Sequence, residues 1–169
     1  DTSGKRLKLL LASESGASET VETDLLLCAV GRKPVTQGLG LEKVGIAPDK
    51  RGFVAVNKDQ STSRSNIYAI GDIVGSTPQL AHVASAEGIV AVESIAGHHP
   101  PPIRADRIPS ATYCHPEVAS IGLTEEQCKE KKLDYQVGRF PFSANGRARA
   151  SNETEGFVKI IRDKKYGEI

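Results

Sequence analysis

Ile67-Tyr68-Ala69-Ile70-Gly71-Asp72 is the stretch on which the fold turns. Its apolar half predicts a short strand, and Gly71-Asp72 ends it. A strand that ends this way sets a carboxylate at the carboxyl edge of a sheet, where open α/β folds bind ligands. Gly71 leaves room for a ligand to approach the backbone. Asp72 can accept a hydrogen bond from a sugar-like hydroxyl. Read alone, the same Asp also suits the opening of an ordinary turn.

A few residues further on, Pro78-Gln79-Leu80-Ala81-His82 opens the clearest helix of the chain, predicted over residues 80–96. Ala81, Ala84, Ile89, Val92 and Ile95 recur at helical spacing, and Gly97 is placed to cap the end. The first turn of a helix offers unpaired N–H groups and a partial positive charge, which can stabilise negative charge on a ring carbonyl. A sheet-edge carboxylate beside such a terminus makes a cradle for a polyol joined to an electron-poor ring. His82 by itself reads as a packed or surface histidine.

Upstream, residues 7–12 and 25–30 are short apolar runs on either side of a polar turn at 13–18, and both are predicted as strands buried in a sheet. The second leads into Val30-Gly31-Arg32-Lys33-Pro34. There Gly31 would let the backbone come close to a bound group, and Arg32 could pair with phosphate or an acidic side chain, or simply be solvated at a tight strand exit. Residues 35–52 form an irregular connection and 53–56 a short strand. Downstream, residues 98–102 contain three consecutive prolines and read as a stiff linker, with a domain boundary near 103–108.

Beyond that boundary the expected elements are strands at 110–114 and 118–122. A helix starts at the capping box Thr124-Glu125-Glu126-Gln127 and runs to about 132. Antiparallel strands follow at 135–142, at 157–161 and after Tyr166, the last two joined by a turn at 163–167. The fold class is therefore α/β followed by α+β.

With 22 basic and 21 acidic residues well mixed, net charge +1, the chain carries no electrostatic footprint for nucleic acid or an anionic membrane. No apolar run approaches the length needed to cross a bilayer. Cys28, Cys114 and Cys128 lack the short spacing of a zinc knuckle or a redox-active dithiol, and Cys28, inside an apolar run, reads as a buried thiol. A reducing cytoplasm is the natural setting, with a mitochondrial matrix or plastid equally compatible. The chain has no Met, and both ends read as cuts through a larger protein.

Taken in order, these elements resemble the pyridine nucleotide–disulfide oxidoreductases of the two-dinucleotide-binding flavoprotein fold. In that family a strand ending VGR.P closes the NAD(P) domain, and YAIGD followed by LAH.A..EG belongs to the FAD domain. Here Val30-Gly31-Arg32-Lys33-Pro34, Tyr68–Asp72 and Leu80-Ala81-His82-Val83-Ala84-Ser85-Ala86-Glu87-Gly88 match. Residues 109–125 resemble the start of the family's dimerisation domain. Pro141-Phe142-Ser143-Ala144-Asn145-Gly146-Arg147-Ala148 resembles a stretch typical of the branch that oxidises dihydrolipoyl groups.

The resemblance implies residues 1–36 as the tail of an NAD-binding domain, 37–105 as the returning part of an FAD-binding domain, and 106–169 as part of a dimerisation domain. It assigns Asp72 to the ribityl chain of FAD. The backbone of Gln79, Leu80, Ala81 and His82 goes to the flavin ring near its pyrimidine edge, and Gly31 to NAD. Gln79 stands where Met is common, and Gly146 where Ser is usual. The family's Gly-rich FAD fingerprint, redox-active cysteine pair and His–Glu dyad do not occur in this sequence, so no catalytic residue is expected within it; His115 reads as structural.

The implied activity is oxidation of dihydrolipoyl groups with NAD through FAD and a protein disulfide. The implied partners are a second copy of the chain and the lipoyl domains of 2-oxo acid dehydrogenase complexes, without nucleic acid or membrane. The alternatives are a branch acting on glutathione or mercuric ion, or, for the chain by itself, a non-catalytic dimerisation module.

Overall fold

The computed structural model describes residues 6–169. The chain separates into two compact units, Asp1–Lys33 and Pro34–Ile169. In the first, β1 (Leu7–Ala12) and β2 (Ser18–Thr23) form an antiparallel hairpin running from Leu7 opposite Thr23 to Ala12 opposite Ser18. Its turn closes through Ser13 N–H to the Ala17 carbonyl at 2.9 Å, with Gly16 in the left-handed region at φ 82°.

β1 is the predicted strand, but its pairing partner is not the apolar run at 25–30. That run has no ladder partner among the described residues, Leu25 and Leu27 are exposed, and the thiol of Cys28 is exposed rather than buried. Apolar composition supplies strand propensity, whereas a strand exists only by pairing and is buried only by a covering layer. The Thr- and Val-containing segment 18–23 meets the first condition through β1.

In the second unit the core is small and local. Ile46, Val54, Ala69 and Val74 are buried together, with Leu41, Val56, Ile67 and Ile73 packed around them. The strands expected at 53–56 and 67–70 shrink to single bridges, Val54 with Val74 in parallel and Ser61 with Tyr68 antiparallel. Side chains closing turns are the cause. The Asp49 carboxylate accepts the N–H groups of Arg51 and Phe53 at 2.8 and 2.9 Å, and Asp59 accepts that of Ser61 at 3.1 Å. Backbone groups satisfied in such Asx turns are not available to lengthen a ladder.

Helix α1 spans Ala81–Ile95. Its end has the paired bonds of a Schellman motif, Gly97 N–H to Ser94 O at 3.0 Å and His98 N–H to Glu93 O at 2.9 Å, with Gly97 at φ 82°. The buried residues are Val83, Glu87, Val90 and Ala91. Ile89, Val92 and Ile95, whose spacing marked the helix, are more than half exposed. The periodic stripe thus located the helix, but its three large members lie on the exposed face.

Beyond the linker, β3 (Ser110–Thr112) pairs with β4 (Val118–Ser120) across a turn containing a cis His115–Pro116 peptide. Helix α2 (Glu125–Glu130) starts on the expected capping box: Thr124 Oγ1 accepts from Gln127 N–H at 3.2 Å, and the Gln127 side chain accepts from Thr124 N–H at 3.0 Å. β5 (Tyr135–Pro141) pairs with β6 (Phe157–Asp163), and between them α3 (Gly146–Ala150) begins where Asn145 Oδ1 accepts the Ala148 N–H. A Cβ at Gly146 would meet nothing within 4 Å, so the position does not require glycine.

The strand expected after Tyr166 does not form a ladder among the described residues. The turn does form, closed by Gly167 N–H to Asp163 O at 3.1 Å, and β6 takes β5 as its partner. No helix of the described residues is long and apolar enough to cross a membrane.

Glu125 ties α2 to the β5–β6 hairpin, accepting from Arg139 at 2.9 Å and Lys159 at 3.0 Å across adjacent strands. Hydrogen bonding to Lys159 first, then to Arg139, holds the Glu125 carboxyl below the usual carboxylate range. A depressed native value gives stability that is present at neutral pH and lost as the pH falls through that value. The melting temperature should therefore fall more steeply on acidification in the native sequence than in Glu125→Gln, over about pH 5 to 2. Parallel melting curves across that range would count against the assignment.

Candidate functional site

The chain reaches the site along Ile70, whose backbone is extended, and then reverses through one 3-10 turn at Gly71–Ile73. Gly71 sits at φ 75°, a conformation that L-residues with a Cβ rarely adopt, and a Cβ placed there would lie 3.4 Å from that of Ala84 on α1. The turn is closed by Val74 N–H to Gly71 O at 2.8 Å. Asp72, at its tip, is exposed.

Gln79 connects this turn to α1. Its side-chain amide donates to the carbonyl of Asp72 at 2.9 Å, so the residue that departs from the family pattern uses its side chain to brace the turn. The cap residue Leu80 is extended and makes no side-chain capping bond, while its carbonyl accepts from Val83 and Ala84 at 3.1 Å each. The first N–H groups of the helix, those of Ala81 and His82, have no intrahelical acceptor by construction. Both residues are exposed. The His82 ring is engaged elsewhere, its Nε2 3.0 Å from the carbonyl oxygen of Pro109.

The structure thus gathers Asp72, Gln79, Leu80, Ala81 and His82 around one turn and one helix end. A carboxylate to accept from hydroxyls, next to N–H groups at the positive end of a dipole, suits a polyol joined to an anionic ring edge. The donors and acceptors present therefore fit FAD as a ligand. Gly31 belongs to the other unit. There it has φ 72°, and a Cβ would meet nothing within 4 Å, which leaves its backbone open to close approach. A cleft of about 360 Å³ is lined by His82, Val83, Ala86, Arg104, Arg107 and Pro109 among others, and it includes neither Asp72 nor Gln79. The carboxylate and helix-end pair is an open surface, not that cleft.

One member of the site was not singled out from the sequence. Glu87 is completely buried, and its carboxyl accepts the Gly71 N–H at 2.6 Å and the Thr77 hydroxyl. The available signal was its register: positions 83, 87, 90 and 91 make a helical stripe of three small apolar residues and one carboxyl.

The sequence pattern described as pyridine nucleotide-disulphide oxidoreductase matches residues 2–88, and that of the family's dimerisation domain matches residues 108–169. The chain is 46% identical over 170 residues to dihydrolipoyl dehydrogenase 2, mitochondrial, of Arabidopsis thaliana, covering all of this chain and 33% of that protein. It is 49% identical over 157 residues to the mitochondrial dihydrolipoyl dehydrogenase of Canis lupus familiaris, covering 93% of this chain and 30% of the relative. Leghemoglobin reductase of Glycine max is 45% identical, covering 100% of this chain and 32% of that protein.

Among solved structures, LpdA from Mycobacterium tuberculosis superposes with a TM-score of 0.80 at 32% identity, covering 94% of this chain and 34% of the other. The HOCl-induced flavoprotein disulfide reductase RclA from Escherichia coli gives 0.77 at 32%, covering 94% and 36%. The chain spans about a third of the length of the curated relatives it matches. These likenesses bear out the α/β fold class followed by a dimerisation domain. The chain belongs to the pyridine nucleotide-disulphide oxidoreductase family.

Proposed function

We propose that this chain forms part of a dihydrolipoyl dehydrogenase, a flavoprotein that oxidises dihydrolipoyl groups with NAD through FAD and a redox-active disulfide. The observation that carries the reading is 44–49% identity to dihydrolipoyl dehydrogenases of plants, bacteria and mammals over at least 93% of the chain. FAD supplies the redox chemistry when bound; the residues of this chain bind and orient it. Asp72 accepts from a ribityl hydroxyl. The N–H groups of Ala81 and His82, with the backbone at Gln79 and Leu80, face the pyrimidine edge of the ring, where the α1 dipole favours negative charge. Gly31 lies against NAD.

In this reading residues 1–36 end the NAD domain, 37–105 return to the FAD domain, and 106–169 contribute to an interface with a second copy. Lipoyl domains of 2-oxo acid dehydrogenase complexes are the macromolecular partners. The compartment is a reducing one, cytoplasm, mitochondrial matrix or plastid; several relatives are named as mitochondrial.

The test is Asp72→Ala in the holoenzyme. Loss of the hydroxyl's acceptor should weaken FAD binding roughly ten-fold, read by titrating the apoprotein with FAD and following flavin fluorescence. Unchanged affinity would remove Asp72 from the site. Oxidation of dihydrolipoamide with NAD by the unmodified holoenzyme completes the test, and turnover of glutathione disulfide in its place would move the chain to another branch.

A further inference from the structure

We propose that Glu87 is a positioning residue for flavin binding, an inference that rests on reading Asp72 as the ribityl contact. Glu87 lies in the buried stripe of α1 with Val83, Val90 and Ala91, and no part of it reaches solvent. A carboxyl in such surroundings is costly unless both oxygens find partners. Here both do. Oε2 accepts the N–H of Gly71 at 2.6 Å, and Oε1 accepts the hydroxyl of Thr77.

Those two donors bracket Asp72. Gly71 immediately precedes it, and Thr77 stands just before Pro78, where the chain approaches α1. A single carboxyl therefore clamps both ends of the loop from 71 to 77, while the Gln79 amide holds the Asp72 carbonyl. The helix that carries Glu87 also carries the N–H groups of Ala81 and His82. The bond from Gly71 to Glu87 consequently registers the carboxylate of Asp72 against the helix end, sixteen residues away from Glu87 in sequence. A ligand that needs both groups meets them already aligned, and pays less of the ordering cost on binding.

The experiment measures FAD dissociation constants and melting temperatures in the full-length holoenzyme and its apoprotein. The variants are Glu87→Ala, Glu87→Gln and Thr77→Val, each with and without Asp72→Ala. Glu87→Ala should weaken FAD binding roughly ten-fold or more, since two donors lose their acceptor. Glu87→Gln should recover affinity to within about three-fold, because the amide oxygen accepts from Gly71 while the amide nitrogen donates to the Thr77 oxygen. Thr77→Val should fall between them.

Added to Asp72→Ala, Glu87→Ala should weaken FAD binding little further, as both act through one contact. A merely structural role would lower the melting temperature without this rescue or this non-additivity. Native FAD affinity in Glu87→Ala, or in Thr77→Val should Glu87→Ala fail to fold, would overturn the proposal. So would Glu87→Gln binding as weakly as Glu87→Ala, or fully additive losses. If Asp72→Ala alone changes nothing, it is the underlying reading of Asp72 that fails; if Asp72→Ala weakens binding and Glu87→Ala does not, only the positioning role fails.

Discussion

Replacing Val74 with Asp is expected to unfold the core built on residues 41–74, at a loss of about 3–5 kcal/mol, the scale of an uncompensated buried charge. Val74 is 1% exposed and packs with Ile46, Val54 and Ala69, none of which has a side-chain donor to offer a carboxylate. Protonating the new carboxyl would remove its charge but leave an unbonded polar group in the same place. The backbone at this point is also a junction. Val74 bridges to Val54, whose N–H donates to Ile73 O at 2.8 Å, and its own N–H closes the turn that presents Asp72. Loss of the core therefore takes the candidate site with it. Val74→Ala, which removes only methyl groups, should cost about half as much. Urea unfolding of the purified holoenzyme checks both, and a Val74→Asp midpoint equal to the native one would refute the placement of this side chain.

Gly71→Val is the second substitution with a large expected effect. At φ 75° a β-branched residue is strained by about 1–3 kcal/mol, and the Cβ itself would already lie 3.4 Å from Ala84, so the two added methyl groups must find room against α1. The turn relieves this by changing conformation, which re-aims Asp72. FAD affinity should fall roughly ten-fold or more. Valine keeps the backbone N–H that Glu87 accepts, so the loss would report the shape of the turn and not the absence of a donor. Gly71→Asn is the control, because Asn tolerates the left-handed region and should lose less. Equal FAD affinity in Gly71→Val and the native protein would show that the turn geometry does not govern binding.

The helix bounds and the positions of β3 to β6 were legible because their signals are local, whereas the pairing of β6 with β5, in place of the residues after Tyr166, was not. Gly97 ends α1 within a residue of the expected place, and Thr124 with Gln127 starts α2 where the capping box predicts. Helix α3 and the single-bridge pairings at 54 and 68 were not anticipated, since they depend on an Asn cap inside a loop and on Asx turns that use up backbone groups. The run at 25–30 misled for another reason. Its leucines and Cys28 carry the composition of a buried strand, and nothing in the described residues pairs with or covers them. On the β5–β6 hairpin the same limit applies by face: Arg139 and Lys159 mark the side bound by Glu125, while Phe140, Val158 and Ile160 on the other remain exposed.

By itself the sequence determined the order of the candidate-site elements, the caps and turns that bound them, and the pairing of a Gly-Asp turn with a helix start. Each of those is written within a few neighbouring residues. Only the tertiary structure decided which face of α1 is buried, and with it that Glu87, not Ile89 or Val92, points inward to the Gly71 amide. The reason is physical: a helical stripe states which side chains share a face, but which face is inside depends on what the rest of the chain brings against it. Here that is a turn whose Gly71 N–H finds its acceptor in Glu87.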